Sequence, residues 1–501
     1  MQSHIRRLAT VRVRVYTQPY RPSNGTSSAR RIGRNSKPTT SRALASVPMA
    51  STSALPTHVG KQAVSGGIIT DRYELEVPLN YDDVDARKIT VSYRVVRGES
   101  SLADKYLVYL QGGPGYQSPS PSSASSGWIK AALDEKYSVV LLDQRGTGFS
   151  SAVSCRSLES VGSPAEQAAY LKHFRADSIV RDLEAVRQAL DVDKWTTLGQ
   201  SYGGFLTFTY LCTAPESLKA CMTTGGIPPC IDVPMSADIV YEHTIKRVIT
   251  QNAKFYTRYP EAKEKAIAIV NYLAATEDGH VVTPNGNHLT PSSFQLLGLG
   301  CLGFSGGFEK LYGMIESAFE QDGALAFSFL KEFDASIGFD ANPIYAILHE
   351  SIYCSGGGCS NWAAARVRSR PEYCDLFDAA ARAAAGKPVY FTGEMVFPFV
   401  FEDIAELRRI RDAAELIAND TEWTELYPSW EELIHNTVPI AAACYFEDMF
   451  VDFKLAEQTI EKVCGVRQFV SNEYLHCGLR ENGARIFGKL HGLIDGKELL
   501  R

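Results

Sequence analysis

Two periodicities divide the chain. From about residue 64, apolar and polar positions alternate through "YELEVPL" and "KITVSYRVV", the period-2 pattern of half-buried antiparallel strands. Short apolar runs follow in "KYLVYL", "YSVVLL" and "WTTLG", each ending in Gly-rich or polar text. Such runs read as strands covered on both faces. Between them, "SIVRDLEAVRQALDV" spaces its apolar residues as a helix does. Strands alternating with helices predict an α/β fold with a mostly parallel sheet. From about 231 to 435 the period is helical, as in "TIKRVITQNAKFYTRY", "AKEKAIAIVNYLAA" and "AAELIANDTEWTELY". Strand-like text returns with "TVPIAAACYF", then the amphipathic "LAEQTIEKV", then "RQFVSNEYLHCGL" and a closing helix. The pattern predicts core over 61–230, an inserted helical cap over 231–435, and the rest of the core over 436–501.

Charge separates one further segment. Residues 1–60 hold nine Arg, one Lys and no acidic residue, whereas the whole chain carries −6. The segment is also rich in Ser and Thr and has no long apolar stretch, the composition of an organelle transit peptide. It predicts an intracellular protein, addressed to mitochondrion or plastid by this leader and otherwise cytoplasmic. The acidic remainder argues against a nucleic-acid partner. No window reaches the roughly 18 uninterrupted apolar residues of a membrane span. The eleven cysteines show no paired CxxC spacing, so neither a structural zinc site nor a disulfide framework is indicated.

Chemistry concentrates where strands end. Gly199-Gln200-Ser201-Tyr202-Gly203 matches G-x-S-x-G between a predicted strand and the helical "FLTFTYLC". A Ser on so sharp a strand-to-helix turn is a nucleophile held in a sparsely allowed conformation. Glycines two positions either side are required because a Cβ there would crowd the adjoining strand and helix. "QGGPG", Gln111 to Gly115, ends an earlier strand. Oxyanion stabilisation needs two N–H groups converging from different loops, and those of Gly113 and Tyr202 are the candidates.

A Ser nucleophile needs a base, and the base needs an orienting acid, in the chain order Ser, acid, His. His476, in "NEYLHCGLREN", lies in a loop after a strand; His435 is at the wrong end of one, and His491 is in the last helix. For the acid, "CYFEDMFVDF" offers Glu447, Asp448 and Asp452. Asp448 falls at the strand tip and is preferred, with Asp452 the alternative. Asp143 and Arg145 of "DQRGTG" read as a structural pair fixing the loop beside the nucleophile.

Taken together and in order, "GGPG", "DQRGTGFS", "LGQSYGGF", "GGIPP" and "NEYLHCGLR" closely resemble the prolyl aminopeptidase (proline iminopeptidase) family of α/β-hydrolases, over roughly residues 65–501. One departure is Gln111, where that family usually has His. The resemblance implies an α/β-hydrolase core, a Ser201–Asp448–His476 triad, no cofactor, and peptide substrates with a free N-terminus from which one residue, preferentially proline, is released. A cationic amine calls for carboxylates on the cap. "LHESIYC" resembles the family's amine-binding cap motif and places Glu350. Glu394, in the apolar "FTGEMVFP", is the second candidate, because an unpaired carboxylate in such text would be costly. Phe397, Phe399 and Tyr353 are candidates for the wall around a proline ring. The alternatives are an esterase, amidase or lactonase on the same scaffold, which needs no amine carboxylates, and a catalytically inactive binding member.

Overall fold

The protein is described here by a computed structural model, which covers residues 55–83, 87–120, 127–230 and 236–497. The sheet begins at β1 (Thr57–Val64) and continues through β2 (Ile68–Pro78), β3 (Lys88–Arg97), β4 (Tyr106–Leu110), β5 (Ser138–Asp143), β6 (Trp195–Gln200) and β7 (Leu218–Thr224). A two-residue pair, β8 (Val281–Val282) with β9 (His288–Leu289), stands apart. The main sheet is completed by β10 (Ile440–Tyr445) and β11 (Val466–Ser471). Its spatial order is β1-β2-β3-β5-β4-β6-β7-β10-β11. β1 to β3 are antiparallel to one another and β3 to β5, while β5, β4, β6, β7, β10 and β11 run parallel.

The parallel strands β4 to β7 and β10 are buried on both faces, as their largely apolar text requires, while the edge strand β11 is partly exposed. Val108, Leu110, Val140 and Leu142 pack into one core, and their alternate neighbours Leu107, Tyr109, Val139 and Leu141 into another. Helices Ala176–Ala189 and Tyr202–Thr213 supply the first core; Gly127–Asp134 and Gly483–Asp495 cover the opposite face. The chain between β7 and β10 is dominated by helices, of which Ala237–Arg258 and Ala262–Ala274 are the longest. The stretch "AAELIANDTEWTELY" is helical only as far as Asn419. The turn beyond it is built on Asp420, whose side chain accepts the Glu422 N–H at 2.6 Å.

The proposed leader needs one adjustment. Residues 1–54 lie outside the described residues, but β1 starts at Thr57, so the sheet begins within the segment 1–60. β1 is an edge strand, largely exposed along both faces. Its text "THVGKQAV" therefore lacks the alternation by which β2 and β3 announce themselves.

Candidate active site

Every parallel strand points its carboxyl end toward one region, where ligands of open α/β sheets bind. Ser201 follows β6 directly and opens the helix Tyr202–Thr213 with φ 55° and ψ −124°. That left-handed conformation is costly for a non-glycine residue and survives only where its surroundings enforce it. They do so by close contact. A Cβ on Gly199 would lie 2.3 Å from the Gly203 carbonyl oxygen, and one on Gly203 would lie 1.9 Å from that of Leu110 in β4. The Ser201 N–H donates to Thr224 O at 3.1 Å, and Ser201 O accepts from Gly204 N at 2.7 Å.

Asp448 lies just beyond β10 and His476 beyond β11, both almost wholly buried. His476 Nδ1 and Asp448 Oδ2 are 2.7 Å apart. The other Asp448 oxygen accepts the N–H groups of Phe450 at 2.8 Å and Val451 at 3.0 Å. The carboxylate is thus fixed on one side by backbone and aimed with the other. Phe450 stacks on the imidazole at 4.6 Å. Burial pushes the His476 pKa down, but the charge and hydrogen bond of Asp448, joined by the charge of Glu394, outweigh it and leave the value raised. Gly225, from the "GGIPP" motif, sits against this pair at φ 52°; a Cβ there would come 3.2 Å from His476 Nδ1 and 3.3 Å from Asp448 Oδ2.

Asp452 has a different task. Its side chain caps the helix Phe453–Ile460 and pairs with His243 at 3.0 Å and Arg247 at 3.2 Å. Glu447 pairs with Lys254. His435 precedes β10, and His491 is buried in the last helix against Tyr137 and Phe487.

A cavity of about 250 Å³ opens over Ser201 and His476. Gln111, Gly112 and Gly113 line one side, and a Cβ on Gly112 would stand 3.0 Å from the Ser201 Cβ. Gly113 has φ 138°, which only glycine adopts readily. Tyr202 is the first residue of its helix, where the backbone N–H has no intrahelical acceptor. Gln111 anchors this loop through its carbonyl, which accepts from Gln144 Nε2 at 2.8 Å.

The two cap glutamates part company. Glu394 lines the cavity and accepts a hydrogen bond from the Tyr345 hydroxyl at 2.8 Å. Glu350 does not line it. Its oxygens accept the N–H groups of Ala363 at 3.0 Å and Ala364 at 2.9 Å, at the start of the helix Ala363–Arg368. Burial raises its pKa from 4.5 to about 7, only partly offset by those hydrogen bonds. The aromatic wall also differs from expectation. Phe397 and Phe399 stack on each other beneath Arg368 at another surface, and Tyr353 packs against Phe205 and Tyr241. The cavity is instead lined by Tyr116, Phe304, Phe339, Tyr345 and Phe450. Phe304 and Phe339 lie in loops whose text gives no sign of sharing a site. Arg480, also unforeseen, sits four residues after His476 and lines the cavity too.

The "DQRGTG" motif is structural, but its two charges do not pair with each other. Arg145 binds Asp182 through two nitrogens at 2.7 and 2.6 Å. Asp143 accepts from Arg94 at 2.8 Å and from the N–H groups of Ser118 and Phe149, both at 3.1 Å.

Comparison with known proteins agrees with this architecture. Residues 105–266 match the alpha/beta hydrolase fold family. A proline iminopeptidase of Aeromonas sobria is 44% identical over 432 residues, covering 85% of this chain and 97% of that one. One from Aspergillus aculeatus is 32% identical over 439 residues, covering 85% and 94%. A solved proline iminopeptidase structure from Mycobacterium smegmatis is a distant likeness, at 14% identity and a TM-score of 0.39 over 84% of this chain and 100% of that one.

Proposed function

The chain belongs to the proline iminopeptidase family of α/β-hydrolases, and from that premise we propose that it releases N-terminal residues, preferentially proline, from peptides by Ser-His-Asp acyl transfer. Ser201 is the nucleophile. Asp448 takes up Nδ1 of His476, which leaves Nε2 as the nitrogen that removes the Ser201 proton and delivers it to the departing amine. The tetrahedral oxyanion rests on the N–H groups of Gly113 and Tyr202. Water then repeats the sequence on the acyl-enzyme.

The observation that carries the substrate class is the place of Glu394. It puts a carboxylate, steadied by Tyr345, in the same cavity as Ser201 and His476. A carboxylate in the nucleophile's own cavity suits a substrate whose free amine is one residue from the scissile carbonyl. A simple esterase has no use for it. The segment between β7 and β10 acts as the cap, since its helices and loops supply Glu394 and, in Phe304, Phe339 and Tyr345, most of the aromatic wall. Glu350 serves this cap as a helix-capping group. The Arg-rich leader is read as an organelle address.

A panel of aminoacyl arylamides, each with a free and an acylated amine, tests this function. Proline arylamide is expected to lead the free series, with the blocked series essentially unreactive. Equal rates for free and blocked substrates would favour the esterase or amidase reading instead.

A further inference from the structure

Among the described residues lining the cavity, Glu394 is the one carboxylate and Arg480 the one guanidinium. They are opposite in sign, yet they do not pair. Glu394 is held by Tyr345, which packs on Phe339 at 5.9 Å and Tyr116 at 5.4 Å. Arg480 belongs to a separate aromatic set. Its guanidinium lies over Phe304 at 6.0 Å, Phe304 packs on Phe450 at 5.2 Å, and Phe450 stacks on His476. Arg480 forms no ion pair with a described carboxylate. The neighbouring Glu481 is engaged by Ser305, whose hydroxyl donates to it at 2.6 Å. The fields of both charges reach His476, Glu394 raising its pKa and Arg480 lowering it. One cavity therefore holds an anion and a cation kept apart, with the nucleophile and base in the same lining. That is the complement of a molecule carrying an amine at one end and a carboxylate at the other.

We propose that Arg480 binds a carboxylate on the residue following the scissile bond, making the free acid of a dipeptide the preferred substrate. The inference rests on the aminopeptidase reading above. Once the amine is at Glu394 and the carbonyl at Ser201, the next residue extends only about 3.3–3.6 Å further. A dipeptide ends there. Its carboxylate suits a guanidinium whose planar fork of donors is not taken by another side chain among the described residues. An acidic side chain on the second residue of a longer peptide presents the same chemistry, so the two sources need separate arms.

The test compares kcat/KM for Pro-Gly with Pro-Gly-amide, and for Pro-Asp-amide with Pro-Asn-amide, in the full-length enzyme and in R480Q and R480K. The wild type is expected to favour the terminal acid by at least about tenfold. In R480Q the acid-to-amide ratio should fall to within about twofold of one, chiefly through KM, and R480K should lie between because it keeps charge but loses the fork. A preference confined to Pro-Asp-amide would assign the site to an acidic side chain and overturn the dipeptide assignment. A ratio near one in the wild type, or one that survives in R480Q, overturns the proposal. Should R480Q fail to fold, ionic strength replaces it: raising salt from about 0.05 to about 0.5 M should lower the wild-type ratio through screening, and an unchanged ratio counts against Arg480. Proline arylamide has no carboxylate and separates the two levels. If it is cleaved while the acid preference is absent, only the Arg480 assignment fails; if neither it nor the dipeptide is cleaved, the aminopeptidase reading fails.

Discussion

Asp448 Oδ2 lies 2.7 Å from His476 Nδ1, while Asp452, four residues on, turns its carboxylate to His243 and Arg247. Only one of these nearby acids can therefore hold the imidazole tautomer. Asp448→Asn is expected to lower kcat on the order of 10⁴-fold, the loss typical when a triad acid becomes an amide. Asp452→Asn keeps the helix cap, since Asn caps as well as Asp, and removes the charge facing His243 and Arg247. It should lower stability by about 1.5–3 kcal/mol, the range for a hydrogen bond to a charged group, and leave kcat within about threefold. Thermal unfolding and kcat measured on the same preparations check the contrast, and the reverse ranking would transfer the role to Asp452.

On the proposed mechanism, Ser201→Ala removes the attacking oxygen from an elbow whose shape is set mainly by the glycines around it. The fold should persist, since Gly199, Gly203 and Gly112 keep their contacts. Turnover should drop by several orders of magnitude. A variant that kept more than about a tenth of the rate, a barrier change of roughly 1.4 kcal/mol, would remove Ser201 from the mechanism. Loss of covalent labelling by a fluorophosphonate gives a readout independent of substrate.

Much of this was legible in sequence because the signals are local. Buried parallel strands write uninterrupted apolar text, and the nucleophile elbow needs its glycines at fixed offsets. Ser201, Asp448 and His476 each follow a strand end, so reading the strands brought all three to the same edge of the sheet. The wall was less legible. Phe304, Phe339 and Arg480 come together through the packing of the helical segment, which short-range periodicity does not encode. Phe397, Phe399 and Tyr353 sit in apolar text of the same kind and face elsewhere. Glu350 is the clearest case. A buried Glu in apolar text signals that something compensates its charge, but sequence does not say whether that is a substrate amine or the N–H groups of Ala363 and Ala364. The paired charges of "DQRGTG" failed for the same reason. Arg145 finds Asp182 and Asp143 finds Arg94, partners separated by tens of residues.

The raised pKa of His476 fixes the sign of the acid limb. In the proposed mechanism His476 must be neutral to accept the Ser201 proton, so kcat/KM should fall as pH drops through a value above the ordinary 6.5 of histidine. Asp448 and Glu394 both raise that value. The residual activity of Asp448→Asn should therefore show its acid limb at lower pH, and Glu394→Gln should move it down by a smaller amount. An acid limb that moves up in either variant would contradict this arrangement of charges.

Glu394 and Glu350 make the final contrast, because both are cap glutamates and only one faces the nucleophile. Changing either to Gln keeps shape and removes charge. On the proposed reading, Glu394→Gln takes away the partner of the substrate's ammonium in a half-buried site. Truncating one partner of a desolvated charge pair costs about 2–5 kcal/mol, and partial exposure puts this one at the low end, about 2 kcal/mol or roughly thirtyfold in kcat/KM for proline arylamide. A small neutral ester should lose far less, since it has no ammonium to strand. Glu350→Gln should leave the arylamide-to-ester ratio within about twofold of wild type and act on stability instead. The Glu350 carboxyl has a pKa of about 7 in the folded chain against 4.5 ordinarily. Between those values the unfolded chain gives up this proton while the folded one retains it, so folding stability declines as pH rises through that window. Gln does not titrate, and the Tm of Glu350→Gln should vary less steeply between about pH 4.5 and pH 7 than that of the wild type. The specificity ratio and the Tm profile of the two variants thus move oppositely. If Glu350→Gln lowered the ratio as Glu394→Gln does, amine recognition would extend to Glu350. If neither variant lowered it, recognition of the amine would belong to other groups of the cavity.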